Sequence, residues 1–300
     1  MRASLTRSPP ISSPVTCMRC WMRLSVAIVN WNTSDLLAAC LDSIVKYPPS
    51  CDYEVIVVDN ASADFNPESF RTRFPDVKFV VNDDNAGYAR GNNQAIGLST
   101  GDYILLLNPD TEVTEGTLDA LISFMESYSQ AGAAGAKLVR PNGVIDHSVR
   151  GFPYPGPIAW EFIGLSRLFP ESRIFGAYRM TGFMYDKIAE VDQPMGSALI
   201  LNRKAVEAVG LLDEQFPIFF NEVDWLYRAK KLGWKIYFTP DAIVIHHGAG
   251  STSKVAKRKM ARESHESLMR FYSKHFRGKI AAPIYYFTIA CISISRILRG

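Results

Sequence analysis

The stretch Leu105-Leu106-Leu107-Asn108-Pro109-Asp110 decides the fold, because a run of four apolar residues beginning at Ile104 ends in a carboxylate. A buried strand of this kind presents its last polar residues at the C-terminal edge of a sheet, where open α/β sheets bind ligands. A second run, Val55-Ile56-Val57-Val58, ends in the same way in Asp59-Asn60-Ala61-Ser62. Two acidic strand ends in one half of the chain suggest a nucleotide and a hard divalent cation, which prefers carboxylate oxygens.

Outward from this pair the chain alternates short apolar runs with helix-period segments: Leu24 to Val29, Leu36 to Val45, Tyr53 to Val58, Val77 to Val81, Gly87 to Leu98 and Tyr103 to Leu107. Strands alternating with helices predict a mostly parallel sheet with helices on its faces, an α/β fold. Thr114 is placed to cap a helix reaching about Tyr128, and Ala131 to Leu138 reads as a further strand. From Pro141 to Met195 periodicity is lost among Pro153, Pro155, Pro157, Pro170 and aromatic residues, which predicts a loop-rich insert over the sheet edge. Regular structure returns at Gly196 to Leu201 and in a helix that Asn221 caps, with Asp224 completing an approximate capping box and spaced to pair with Arg228.

The ends differ from this body. Residues 1–22 read as a disordered leader without a secretory apolar core, and Met18 and Met22 just ahead of the first strand are candidate alternative starts. Residues 254–300 form a basic, then apolar, helical tail; its run from Ile280 to Ile297 is short and interrupted for a span, so it predicts either an interfacial anchor facing anionic lipid or a helix docked on its own domain. Five cysteines without a disulfide framework fit a reducing cytosol, with the tail as a peripheral contact on the inner face of the membrane. The spacing Cys17-x-x-Cys20 lacks a second pair to make a zinc site, and a net charge of +3 makes no case for nucleic acid.

The dinucleotide fingerprint and the P-loop are both missing, which argues against hydride transfer and ATP hydrolysis. The polar turn Asn30-Trp31-Asn32-Thr33 follows the first strand instead. With it, the segments Val26 to Asn32, Val57 to Ser62, Asn85 to Asn93, Leu107 to Asp110, Gly196 to Ile200 and Phe219 to Trp225 resemble, in order, the inverting glycosyltransferases of family 2 with the GT-A fold, within their bacterial rhamnosyltransferase-like branch. The likeness spans roughly Leu24 to Phe276 and implies a GT-A domain over residues 23–253, with a donor half at 23–140 and an acceptor half at 141–253.

The resemblance implies a donor that is a dTDP- or UDP-linked sugar, L-rhamnose or another hexose. It implies that Asp59 reads the base, with Asn30, Asn32, Asn60, Asn85, Gly87 and Asn93 around ribose and phosphate and with Asn108, Gly196 and Asp224 also at the substrate. Asp110 would hold Mg2+ or Mn2+ as the surviving acid of the family's Asp-x-Asp, whose first acid is Asn108 here, with His246 as a second metal residue, and one of the pair His246-His247, which of the two being open, would approach the diphosphate. Glu222 takes the place of the family's catalytic acid and is the expected general base, with Asp224 as its competitor. Arg90, Arg203 and Lys204 are candidate partners of the leaving diphosphate. The expected acceptor is a cell-envelope or lipid-linked glycan. Two alternatives stand beside this reading: a catalytically silent glycan- or membrane-binding relative, and a sugar nucleotidyltransferase, which Asn30 to Asp35 disfavours by containing no glycine.

Overall fold

A computed structural model describes residues 24–248 and 257–299, so the leader and the junction between body and tail lie outside it. The first half alternates as expected: β1 (Leu24–Asn30), α1 (Ser34–Lys46), β2 (Tyr53–Asn60), α2 (Pro67–Arg73), β3 (Val77–Asn82), α3 (Tyr88–Leu98), β4 (Tyr103–Leu107), β5 (Thr111–Val113), α4 (Thr117–Ser127) and β6 (Ala131–Val139). The middle region folds into short pieces: β7 (Val149–Arg150), α5 (Pro155–Phe162), α6 (Leu165–Leu168), β8 (Ala189–Glu190) and β9 (Gln193–Pro194). Then follow β10 (Ala198–Asn202), α7 (Arg203–Val209), α8 (Asn221–Lys231), β11 (Lys235–His246), α9 (Lys257–His275) and α10 (Ala282–Arg299).

The main sheet runs β3-β2-β1-β4-β10-β6-β11-β5. Its first four strands are parallel, as are β6 and β11, while β10 enters antiparallel between β4 and β6. The apolar runs are continuous because both sheet faces are covered, and alternate residues feed two separate cores. Ala27, Ile56, Val58, Ile104 and Leu106 join the core under α3, α7, α8 and α9. Val26, Ile28, Val55, Val57, Leu105 and Leu107 join the core under α1 and α4, built on Leu37, Leu41, Leu118 and Leu121.

β2 lies on one side of β1 and β4 on the other, so the strand order reverses between β1 and β4. The crevice at such a reversal, outside the carboxyl ends of the strands, is where this class of sheet takes its ligand. Asn30 ends β1, and Asn108 to Asp110 follow β4, on its two sides.

Two local expectations are corrected, and the tail takes one of its two expected forms. Thr114 does not cap α4: β5 ends just before it, Gly116 takes the cap position at φ 74°, and the Thr114 hydroxyl donates to the Ile243 carbonyl. Asn221 is the first residue of α8 rather than its cap, because Phe220 takes the left-handed cap position at φ 69°; the Asn221 amide donates to Ile218 instead. The apolar tail is docked, with Tyr285, Thr288 and Ile292 of α10 buried on the same face, in the core shared with α5 and α9. Among the described residues no helix is long and apolar enough to cross a membrane.

Candidate active site

Four loops meet at the crevice. The Asn30 amide donates to Asp59 Oδ1 at 2.7 Å, and Ser62 returns its hydroxyl to Oδ1 at 2.6 Å and its backbone N–H to Oδ2 at 2.9 Å. Asn32, at φ 54°, is stitched into the same knot, its backbone N–H donating to Ser62 Oγ and its side-chain oxygen accepting from Ala63. Asp59 and Asn30 are buried, so this knot fixes the polar wall at the ends of β1 and β2. Asn60 extends it by donating to the Gly87 carbonyl at 3.2 Å.

Gly87 opens α3 at φ 86°, a conformation costly for any residue with a Cβ, and the next N–H, of Tyr88, donates to Pro217 O at 2.7 Å. Asn85 sits on the exposed loop just before it and accepts from the Gly87 N–H at 3.0 Å. Asn93 does not belong to the site in this arrangement: its amide donates to Leu212 O and Glu214 and accepts from Leu212 N–H, tying α3 to the loop before α8.

Opposite this wall, Asn108 is joined to Ser197 by two hydrogen bonds, backbone to backbone at 2.9 Å and side chain to hydroxyl at 3.1 Å. The Asn108 Oδ1 is buried and has no partner among the described residues. Because β11 pairs with β5 through His246 and Thr111, His246 reaches the same edge. Its Nδ1 lies 2.9 Å from Asp146, which leaves Nε2 facing Asp110 at 3.8 Å and Ser197 Oγ at 3.4 Å. A carboxylate on one ring nitrogen is the arrangement that orients a metal-ligating histidine. His247 turns to Glu112 instead, at 2.6 Å.

No group of three or more His, Cys, Asp or Glu side chains among the described residues converges on a metal site. Two ligands, Asp110 and His246, with the orphaned Asn108 oxygen beside them, still suit Mg2+ or Mn2+, since such ions take one or two carboxylates and complete their shell with water and substrate phosphates.

Glu222, in the first turn of α8, closes the crevice. Its side chain packs against Gly196, where a Cβ would stand 3.4 Å from Glu222 Cγ, so it rests on the β9–β10 turn at ordinary contact distance. Burial pushes the Glu222 carboxyl above the ordinary carboxylate range, which strengthens it as a base. The Tyr88 hydroxyl donates to Gly196 O at 3.3 Å and is itself pushed up, first by burial and then by the charges of Glu222 and Asp110. It is thus within electrostatic reach of both acids.

Asp224, two residues on, is committed to contacts within the protein. It is fully buried and accepts from Arg228 at 2.8 Å and from Lys274 and His275 at 2.7 Å, joining α8 to α9. Arg203 is also misplaced by the sequence reading: with Lys204 it starts α7 at the opposite sheet edge, and it bonds Gly101 O and Ser99. Ser62, Tyr88, Ser197 and Asp146 are the site residues that the sequence reading did not select. Ser62, Tyr88 and Ser197 stood inside matching segments, whereas Asp146 lies in the aperiodic insert and carries no pattern.

This sheet, with its strand reversal between β1 and β4 and the acids Asp110 and Glu222 beside it, has the layout of a GT-A fold. The model of Glycosyl transferase family 2 matches residues 25–178, and the chain belongs to that family. It is 28% identical over 245 residues to an N-acetylglucosaminyl-diphospho-decaprenol L-rhamnosyltransferase of Mycobacterium tuberculosis, covering 77% of this chain and 78% of the relative. In fold it matches a mannosyltransferase of Pyrobaculum calidifontis solved with GDP-Man and Mn2+, with a TM-score of 0.59 and 17% identity, over 98% of this chain and 80% of that one. It also matches GalNAc-T7 solved with UDP, GalNAc and Mn2+, with a TM-score of 0.58 and 14% identity; the match covers 84% of this chain and 48% of that longer one. The protein is thus a glycosyltransferase, which removes the nucleotidyltransferase alternative.

Proposed function

We propose that the chain transfers a hexose, with L-rhamnose as the best-supported sugar, from a dTDP- or UDP-linked donor to a hydroxyl of a cell-envelope or lipid-linked glycan, with inversion. The nearness in sequence to the mycobacterial rhamnosyltransferase supports the sugar and the acceptor class. The observation that carries the reaction is Glu222, a carboxylate of raised basicity resting against Gly196 at the crevice rim.

In this reading the knot of Asn30, Asn32, Asp59 and Ser62 frames the base and ribose, and Gly87 lets the backbone of α3 come close to the donor. Asp110 and His246, with Asn108 Oδ1 beside them, would hold Mg2+ or Mn2+. Bound there, the ion stabilises charge on the departing diphosphate, so no protein acid is needed on the leaving group. Glu222 accepts the proton of the acceptor hydroxyl as that oxygen attacks the anomeric carbon from the face opposite the diphosphate. Tyr88 keeps its proton and holds the Gly196 carbonyl, fixing the turn on which Glu222 rests.

Replacing Glu222 with glutamine keeps the shape and removes the base. Transfer should fall by about 10²–10⁴-fold while nucleotide binding is retained. A variant keeping more than about a tenth of the transfer rate would assign the base elsewhere.

A further inference from the structure

We propose that α10 and the segment following α5 form a membrane-seating face, which lies flat on an anionic bilayer surface and is rigidly tied to the helix that carries Glu222. The proposal goes beyond the transferase reading and does not depend on it.

α10 is apolar on both sides. Tyr285, Thr288 and Ile292 are buried against the body, while Ile284, Tyr286, Phe287 and Ile294 on its outer side are each more than half exposed. No charged residue occurs from Ile280 to Ser295. Docking has therefore used only one side of a helix that carries no charge as far as Ser295. α10 rests on α5, and the chain that continues from α5 exposes Ile163, Leu168, Phe169 and Ile174, again each more than half. Isolated apolar residues on a surface need no explanation, whereas two neighbouring elements with outward rows of them mark an interaction face.

Charge selects the occupant. Arg277 and Lys279, in the turn leading into α10, are exposed, and neither faces a carboxylate among the described residues. No Asp or Glu follows Glu266 anywhere in the sequence, which ends through Arg296 and Arg299. In the second element Arg167 and Arg173 flank a single exposed acid, Glu171. A second copy of this chain would set cations against cations, whereas an anionic lipid surface complements them. An apolar helix face bounded by cations is the composition that lies in the interface plane. The face is not a loose tether, because α9, which carries α10, is locked to α8 through Asp224, Lys274 and His275.

The test is flotation of the full chain with vesicles of phosphatidylcholine alone, or with about a third phosphatidylglycerol. Wild type should float with the mixed vesicles, not with the neutral ones, and should detach in high salt. Arg277→Ala with Lys279→Ala should weaken partitioning by about 25-fold, at about five-fold for each cation. Phe287→Glu and Leu168→Glu should each weaken it by at least about ten-fold. The alanine pair touches no buried side chain, so it remains informative if an outward glutamate disturbs folding; melting curves identify that case. Binding that ignores charge and all these substitutions would overturn the proposal. So would a wild type that stays off vesicles and forms a dimer that Phe287→Glu makes monomeric. Nucleotide-induced stabilisation, measured on the same samples, reports on the transferase site separately.

Discussion

Replacing Asp224 with alanine removes the carboxylate that joins α8 to α9, and the cost follows from what its three partners retain. Arg228 keeps the carbonyls of Val209 and Leu211, and Lys274 keeps Asp213 at 2.6 Å. His275, 6% exposed, keeps only ring contacts with Tyr227 and Phe271. Breaking a buried ion pair from one side costs about 3–5 kcal/mol. With Arg228 and Lys274 still partnered, the lower end applies, about 3 kcal/mol. For a chain of this length that is a fall in Tm of about 5 °C, read by calorimetry at neutral pH. Burial alone would raise the Asp224 carboxyl, but hydrogen bonds from His275 and Lys274 and the charge of Arg228 hold it below its ordinary range. A depressed carboxyl contributes its stability above the unfolded value, near pH 4, and loses it as pH falls further, so the gap between wild type and variant should narrow in acid. The double change Asp224→Ala with His275→Ala should cost less than the sum of the singles. A Tm within about 2 °C of wild type, or strict additivity with His275→Ala, would refute the network as the clamp between the helices.

Two further outcomes follow from the frame of the site. Glu54 is buried, and although burial alone would raise it, hydrogen bonds from Lys78, Thr100 and Ser25 bring its carboxyl down to about 2. It should contribute about 3 kcal/mol above pH 4.5 that is lost as pH falls towards 2; Glu54→Gln should flatten this part of the acid-unfolding curve, and an unchanged curve would count against it. Gly91→Ala would bring a Cβ within 2.8 and 2.9 Å of the two Val29 methyls, where α3 crosses β1; denaturant melts should show a loss of about 1–3 kcal/mol, and a neutral result would mean that α3 can shift.

Much of this was legible in the sequence because the buried strands announce themselves. Runs such as Val55 to Val58 and Ile104 to Leu107 have no polar break, and each ends in the polar residues that line the crevice. The antiparallel entry of β10 was not legible, since an apolar run carries no sign of its direction. The structural contacts of Asn93 and Asp224 were not legible either, because their partners, Leu212 with Glu214 and His275 with Lys274, come from distant chain that only folding brings near. The cap of α8 was misread because Phe220 adopts a left-handed conformation that a bulky aromatic rarely takes. Asp146 could not be found at all, because its meaning depends on His246 Nδ1, 100 residues away.

The most direct measurement is the thermal stability of the purified chain with UDP, dTDP and GDP, each with and without Mn2+, beside Asp110→Ala. A rise in Tm with dTDP or UDP that needs Mn2+ and disappears in the variant is the expected result. A rise that is independent of the ion, or one that survives in Asp110→Ala, would contradict a donor site built on Asp110 and His246.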